Sequence, residues 1–442
     1  MPRTFNDDVN RENLEREEER RLAPCAMRSS GARRSFPLER EGRIFDYRTE
    51  FQRDRDRILH SRAFRRLRLK SHGGALPPNE RYRDRLTHTL EVSQLSRTVA
   101  RGLGLNEDLV EAIALGHELG IPPFGRAGEA ALSDLLGARS GGFRYDRQSL
   151  RVVEHLEKRY EHPGLNLTDA TREGILKHAM VEPGSGKDDG LHPGWAPFFE
   201  AQVVGAVDEI ASVVQDLDDG LRCGDLEMAA VEDLPIVREL MRRIGSRGAS
   251  RAGGTRARTG RGALFMRANV VNRGLTHMLV TGIIHHSRRT LKAWSRAIGV
   301  ESPEAFAGAR ERLPAGAIGL SPAVRRLYDG LRLFVARNLH QGAWLSAVSA
   351  RAGRTIRGLF QALVEDPRLA DDYVLLRFKQ EHGGAYLRDV APTEIGAEIE
   401  RRYRGNAQFA RLVADHIAGM TDLFALFEHD RLIGPMVMGG SR

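Results

Sequence analysis

Three stretches of this chain carry side chains of the kind that bind divalent metal ions. His88 stands in Arg85-Leu-Thr-His88, His117 is followed directly by Glu118, and Asp208-Glu209 interrupts the apolar run AQVVGAVDEIASVV. Imidazole and carboxylate together suit a transition ion such as Mn²⁺, Fe²⁺, Co²⁺, Ni²⁺ or Zn²⁺. These residues lie far apart in sequence, so they can share an ion only if separate helices bring them together inside a bundle. Spacing alone does not separate such ligands from ordinary core and surface residues.

The surrounding pattern predicts helices. Leu86, Leu90, Leu95, Val99 and Leu103 recur at helical spacing from residue 85 to 103, and Gly102-Leu-Gly104 stops the run. Asn106 is a predicted N-cap, with Glu107 and Asp108 in the first turn, where the helix dipole favours acids. That helix carries Leu109, Val110, Ile113 and His117, and Gly120 with Pro122-Pro123 is expected to end it. Further helices are predicted over 51–69, 147–160, 170–180, 199–218 and 226–245, and alternating strand patterns are scarce. The class is all-α. A polar arm over the first 40 residues and a Gly/Arg/Ser-rich loop over 245–262 flank the first of two helical regions.

Composition narrows the class further. The net charge is +9, and of the 68 basic residues 62 are arginine and six are lysine. Forked guanidinium donors match phosphate oxygens, which fits nucleotides, nucleic acid or another polyanion; a bias of the genome toward arginine codons fits equally. Two distant cysteines, Cys25 and Cys223, exclude a disulfide framework and suggest a reducing compartment. With no long apolar run and a charged N-terminus, the chain is expected to be soluble and cytoplasmic.

The ordered motifs add a resemblance. Arg85-Leu-Thr-His88-Thr-Leu-Glu-Val and Gly116-His-Glu118-Leu-Gly-Ile-Pro-Pro-Phe-Gly-Arg126-Ala-Gly-Glu129 resemble the HD-domain deoxynucleoside triphosphate triphosphohydrolases, most of all the bacterial dGTPase-like subfamily. Supporting stretches include Ser61-Arg-Ala-Phe-Arg-Arg-Leu67, Gln148-Ser-Leu-Arg, Arg172-Glu-Gly-Ile-Leu-Lys-His178 and Ala414-Asp-His-Ile-Ala-Gly-Met-Thr-Asp422, so the likeness runs from about residue 15 to 428. It implies an HD-type metal and nucleotide domain over 41–244 and a C-terminal helical region over 263–442 packed on it. The implied reaction splits a dNTP into deoxynucleoside and inorganic triphosphate, water attacking the α-phosphorus. The implied metal ligands are His88, His117, Glu118 and Asp208, for a divalent ion that could be Mn, Mg, Fe, Co, Ni or Zn. A ring-like homo-oligomer is also implied.

Several chemistry-bearing positions depart from that family's pattern. Glu118 stands where the family has aspartate, which moves the carboxylate one C–C bond, about 1.5 Å, further out. Arg126 stands where the family has its catalytic histidine; arginine stays protonated and cannot relay a proton. It could clamp phosphate, or pair with Glu129 three residues on, and the pairing is preferred. Lys70-Ser71-His72 replaces a Lys-Thr-Gln turn that contacts the sugar, and Ser212 replaces a tyrosine. The phosphate-gripping side is better kept. Arg85 corresponds to a triphosphate-binding arginine, Asp216 to an acceptor for the sugar 3′-OH, and Arg65 and Arg66 could meet phosphates or simply face solvent. The catalytic candidates are thus Glu129 and Arg126, and the substrate-binding ones Arg85, Asp216, Arg66 and His72. The expected function is a dNTP triphosphohydrolase with activity weakened at Glu118 and Arg126. The rivals are a silent dNTP-binding regulatory subunit and a nucleic-acid-binding protein, although the loop at 245–262 is better read as a spacer.

Overall fold

Caps and apolar stripes decide where this chain turns. The structure is a computed structural model that describes residues 10–38, 47–72, 82–137, 141–178, 191–192, 194–248 and 261–434. Its helices are α1 (Arg11–Arg21), α2 (Glu50–Leu59), α3 (Arg62–Arg66), α4 (Arg85–Leu103), α5 (Glu107–Gly116), α6 (Arg126–Leu136), α7 (Tyr145–Arg151), α8 (Asp169–Lys177) and α9 (Phe199–Cys223). They are followed by α10 (Met228–Glu232), α11 (Pro235–Gly248), α12 (Arg261–Ile298), α13 (Pro303–Ala309), α14 (Pro322–Val335) and α15 (Ala343–Glu365). The last are α16 (Asp372–His382), α17 (Ile395–Glu398), α18 (Ala407–Ala418) and α19 (Asp422–Ile433). The described residues contain no strand, only isolated bridges. None of their helices is long and apolar enough to cross a membrane.

The predicted helix over 51–69 is interrupted at His60-Ser61, so that α2 and α3 are separate and a single 3₁₀ turn, Leu67–Leu69, follows. The helix after Asn106 ends at Gly116, before the glycine and prolines expected to stop it, and His117 is its C-cap. The predicted loop over 245–262 is narrower than expected: residues up to Gly248 continue α11 and those from Arg261 begin α12. What lies between falls outside the described residues.

The chain forms two compact units, each assembled from separate stretches of sequence. One comprises 1–65, 86–118 and 149–342, the other 66–85, 119–148 and 343–442. In the first, α9 is the central element and packs against α12, α5, α14 and α8. Its apolar residues Val203, Val204, Val207, Ile210, Val214 and Leu217 are buried, which explains why a 25-residue helix is stable there. Two glycines set close approaches. A Cβ on Gly116 would lie 2.6 Å from Ile175 Cδ1, and one on Gly205 would run into the backbone carbonyl of His178. These contacts seat α5 and α9 against α8.

The N-terminus of α5 is a polar knot. Asn106 Oδ1 accepts from Asp108 N and Leu109 N at 3.1 and 3.2 Å, as the cap prediction requires. Glu200, in the first turn of α9, accepts the amides of Asn106 and Met27 at 3.2 and 2.9 Å on one buried oxygen. That carboxylate ties α9, which carries Asp208, to the start of α5, whose C-cap is His117.

The second unit has its own core, a cluster that includes Leu132 of α6, Ile356 and Leu359 of α15, Phe378 of α16, and Phe409 and Leu412 of α18. Asp422, fully buried at the start of α19, accepts from Ser71 N and Oγ at 2.8 and 2.7 Å and from Phe124 N at 2.9 Å. It thereby holds the Lys70-Ser71-His72 turn and the left-handed Phe124, whose φ is +64°.

Burial pushes the Glu200 carboxyl above the ordinary glutamate range, and the two backbone hydrogen bonds only partly offset it. The native state therefore holds that proton more tightly than the unfolded chain does. Stability from this group is present at low pH and is lost as pH rises from the ordinary glutamate range through the raised value. In urea unfolding followed across that range, Glu200→Gln should gain on the parent protein as pH rises; a constant difference between the two would contradict this.

Candidate metal centre

Three helices of the first unit bring His88, His117 and Asp208 together. His88 is one turn into α4 and completely buried. His117 is the C-cap of α5, where unpaired carbonyls of the last turn point onward. One of them, Ala114 O, lies 2.6 Å from His117 Nδ1. A carbonyl can only accept, so Nδ1 carries the proton and Nε2 is turned inward. Ser149 Oγ donates to the His117 carbonyl at 2.8 Å and fixes the backbone there.

Asp208 reaches both rings from α9. Its Oδ1 is 3.0 Å from His88 Nε2 and 3.7 Å from His117 Nε2, and the ring centroids are 6.0 Å apart. Burial by itself would push the Asp208 carboxyl up; its interactions with the His117 and His88 rings outweigh it and hold the group well below the usual carboxylate range. Asp208 is thus an anion between two imidazoles. One ligand atom from each of the three lies within 4.8 Å of the others.

The donor set fits a divalent ion. His117 Nε2 is buried with no hydrogen-bond partner among the described residues, a costly arrangement for a polar atom that an ion would relieve. Metal–ligand bonds of 2.0–2.2 Å place neighbouring ligand atoms about 3.0–3.5 Å apart, close to the separations seen here. Glu118 does not join this three-residue group. It is buried, with a carboxylate oxygen within 4.8 Å of a ring nitrogen of His88.

Other residues at this centre were not singled out from the sequence. The His178 ring stands edge-on to His117, 5.1 Å between centroids, and is oriented by a 2.8 Å contact of Nδ1 with Ile175 O. Gln215 Oε1 lies 2.6 Å from His88 Nδ1. Asp216 accepts from His340 Nε2 at 2.9 Å, so the expected sugar-binding carboxylate has a histidine beside it. Glu209 forms a bidentate pair with Arg325 at 2.9 and 2.7 Å, which turns it to α14 and leaves Asp208 as the carboxylate of the centre.

The remaining candidates belong to the second unit. Arg85 is buried and donates to Ser71 O and His72 O, both at 3.0 Å. His72 is buried in the turn that Asp422 holds. Arg66 donates to Gly419 O at 2.9 Å, inside the Ala-Gly-Met-Thr-Asp segment. The expected pairing of Arg126 with Glu129 is not made. Arg126 is exposed at the first residue of α6, while Glu129 Oε1 accepts Tyr145 N at 2.8 Å. Burial raises the Glu129 carboxyl above its ordinary range, opposed by that hydrogen bond and by the charge of Arg126.

The family is settled by comparison. The HD domain model matches residues 85–218, and a phosphohydrolase-associated domain model matches residues 384–431. The matched HD region holds His88, His117, Glu118, Asp208 and Asp216 and defines an all-helical HD-domain protein. A deoxyguanosinetriphosphate triphosphohydrolase-like protein of Ralstonia nicotianae is 36% identical over 94% of this chain and 96% of its own length. A second, the like protein 1 of Deinococcus radiodurans, is 37% identical over 96% and 99%. One from Syntrophus aciditrophicus is 35% identical over 94% of each. The chain belongs to the deoxyguanosinetriphosphate triphosphohydrolase-like family of HD-domain proteins.

Replacing His117 with Ala removes that buried nitrogen and leaves the Glu200 tie between α9 and α5 in place. In a titration with Mn²⁺, that variant and Asp208→Ala should each bind at least about tenfold more weakly than the parent protein. Unchanged affinity in both would show that the ion, if bound, sits elsewhere.

Proposed function

We propose that this chain hydrolyses deoxynucleoside triphosphates to deoxynucleoside and inorganic triphosphate at a divalent ion held by His88, His117 and Asp208, with Glu118 as a further carboxylate beside them. The observation that carries the proposal is the convergence of the three side chains, with His117 Nε2 buried and unpartnered. When bound, such an ion polarises a phosphoryl oxygen and acidifies water. The protein's own part is to hold two imidazoles and a carboxylate in fixed orientation. Arg85, one turn before His88 in the same helix, grips the triphosphate, where a guanidinium matches phosphate oxygens in number and direction. Asp216 accepts from the sugar hydroxyl, and Arg66 and His72 serve the substrate side. The names of the relatives make dGTP the first substrate to test.

Glu118 and Arg126 are where this chain differs from that chemistry. Arg126 cannot act as general acid or base. Glu129 is retained, but its oxygen is engaged by Tyr145 N. No side chain at position 126 is then able to take or give the proton. Positioned acid–base help is typically worth about 10²–10⁴-fold in rate, so slow turnover is the expected behaviour. The exposed Arg126 supports a second reading, in which the chain binds dNTPs and regulates a more active partner subunit.

Triphosphate release from dGTP with Mn²⁺ or Mg²⁺, followed by ion chromatography, tests the proposal. Weak release is expected, and Arg126→His should raise kcat within the range that a positioned acid–base group supplies. Binding of dGTP with no release from either protein would favour the regulatory reading. Strong release that Arg126→His leaves unchanged or lowers would overturn the assignment of that position.

A further inference from the structure

We infer that Gln215 and Glu91 are positioning residues for His88, acting as a relay that decides which of its ring nitrogens faces the metal centre. The inference rests on the metal reading above and adds two side chains to it. His88 and Glu91 are three residues apart on α4, and Asp208 and Gln215 seven apart on α9, so each pair shares a helix face. The contacts alternate between the two helices. Asp208 Oδ1 meets His88 Nε2 at 3.0 Å, His88 Nδ1 meets Gln215 Oε1 at 2.6 Å, and Gln215 Nε2 meets Glu91 Oε2 at 2.5 Å.

The direction of this relay follows from the donor inventory. An ionised carboxylate only accepts, so the amide NH₂ of Gln215 must be the end that faces Glu91. The amide oxygen therefore faces His88, and His88 Nδ1 must carry a proton to meet it. Nε2 is then the nitrogen turned to Asp208 and His117. The contact with Glu91 favours that amide orientation. Reversed, the NH₂ would face Nδ1, and the ring would present its acceptor to the wrong side.

The two histidines thus reach the same orientation by different means. His117 is set by a backbone carbonyl of its own helix, Ala114 O, which substitution cannot remove. His88 is set by side chains on two helices. Gln215 is buried, whereas Glu91 is only partly so, and both line a cavity of about 160 Å³ with Asn272 and Thr276 of α12 on its wall.

The test is Zn²⁺ affinity by competition with a chromophoric chelator, together with nitrogen-15 spectra of histidine-labelled protein, metal-free and zinc-loaded. Gln215→Leu should weaken Zn²⁺ binding about 10–100-fold, the usual cost of losing a hydrogen-bond partner behind a metal ligand. The exchanged pair Glu91→Gln with Gln215→Glu keeps volume and polarity: its new carboxylate accepts from Nδ1 while its new amide donates to that carboxylate. It should retain the parent affinity, which a merely structural role for these residues does not require. In the parent protein His88 Nδ1 should carry a proton in both spectra. Parent-like affinity in Gln215→Leu, an exchanged pair as weak as Gln215→Leu, or a zinc-bound Nδ1 would each overturn the relay. A folded parent protein with no Zn²⁺ affinity but with a proton on Nδ1 would instead overturn the metal reading.

Discussion

The Asp208 carboxylate held between two buried imidazoles is the interaction on which the first unit is organised. Burial alone would disfavour the charged form of that carboxylate, and the two rings facing it reverse the effect. Each imidazole is in turn held from behind, one by a carbonyl at the end of α5 and the other by Gln215. Further out, Gly205 lets α9 lie against the His178 carbonyl, and Glu200 ties the start of α9 to the cap of α5. The centre is a demand for precise helix placement, and the glycine, the caps and the buried glutamate meet it.

The second unit is built around a different anion. Backbone and hydroxyl donors satisfy Asp422. It holds the Lys70-Ser71-His72 turn from which Arg85 is braced, and it supports the strained Phe124 just ahead of Arg126. Ala-Gly-Met-Thr-Asp422 is therefore a structural segment: its carbonyls receive Lys70 and Arg66, and its aspartate receives Ser71.

Local signals were legible in the sequence where short-range physics decides the outcome. The bounds of α4 and the Asn106 cap follow from apolar spacing and a side-chain acceptor, and the structure shows both. The early end of α5 was not legible, because the glycine and prolines that signal a stop come later in the sequence than its last helical residue, Gly116. Nor was the break between α2 and α3, which falls in a run that is helical by pattern. The metal-type residues were named from ordered motifs, since no local period links His88 to Asp208. His178, Gln215 and His340 stayed hidden for the same reason: each matters through a contact between helices distant in sequence. The Arg126–Glu129 pair shows the converse. Helical spacing allowed it, but Tyr145 N offered Glu129 a closer partner and Arg126 was left in solvent.

Anomalous scattering from crystals grown with Mn²⁺ tests the central claim most directly. The account predicts one strong peak bonded to His88 Nε2, His117 Nε2 and a carboxylate oxygen of Asp208. A well-ordered structure in which those three atoms keep their positions and the manganese peak lies elsewhere, or is missing, would contradict it.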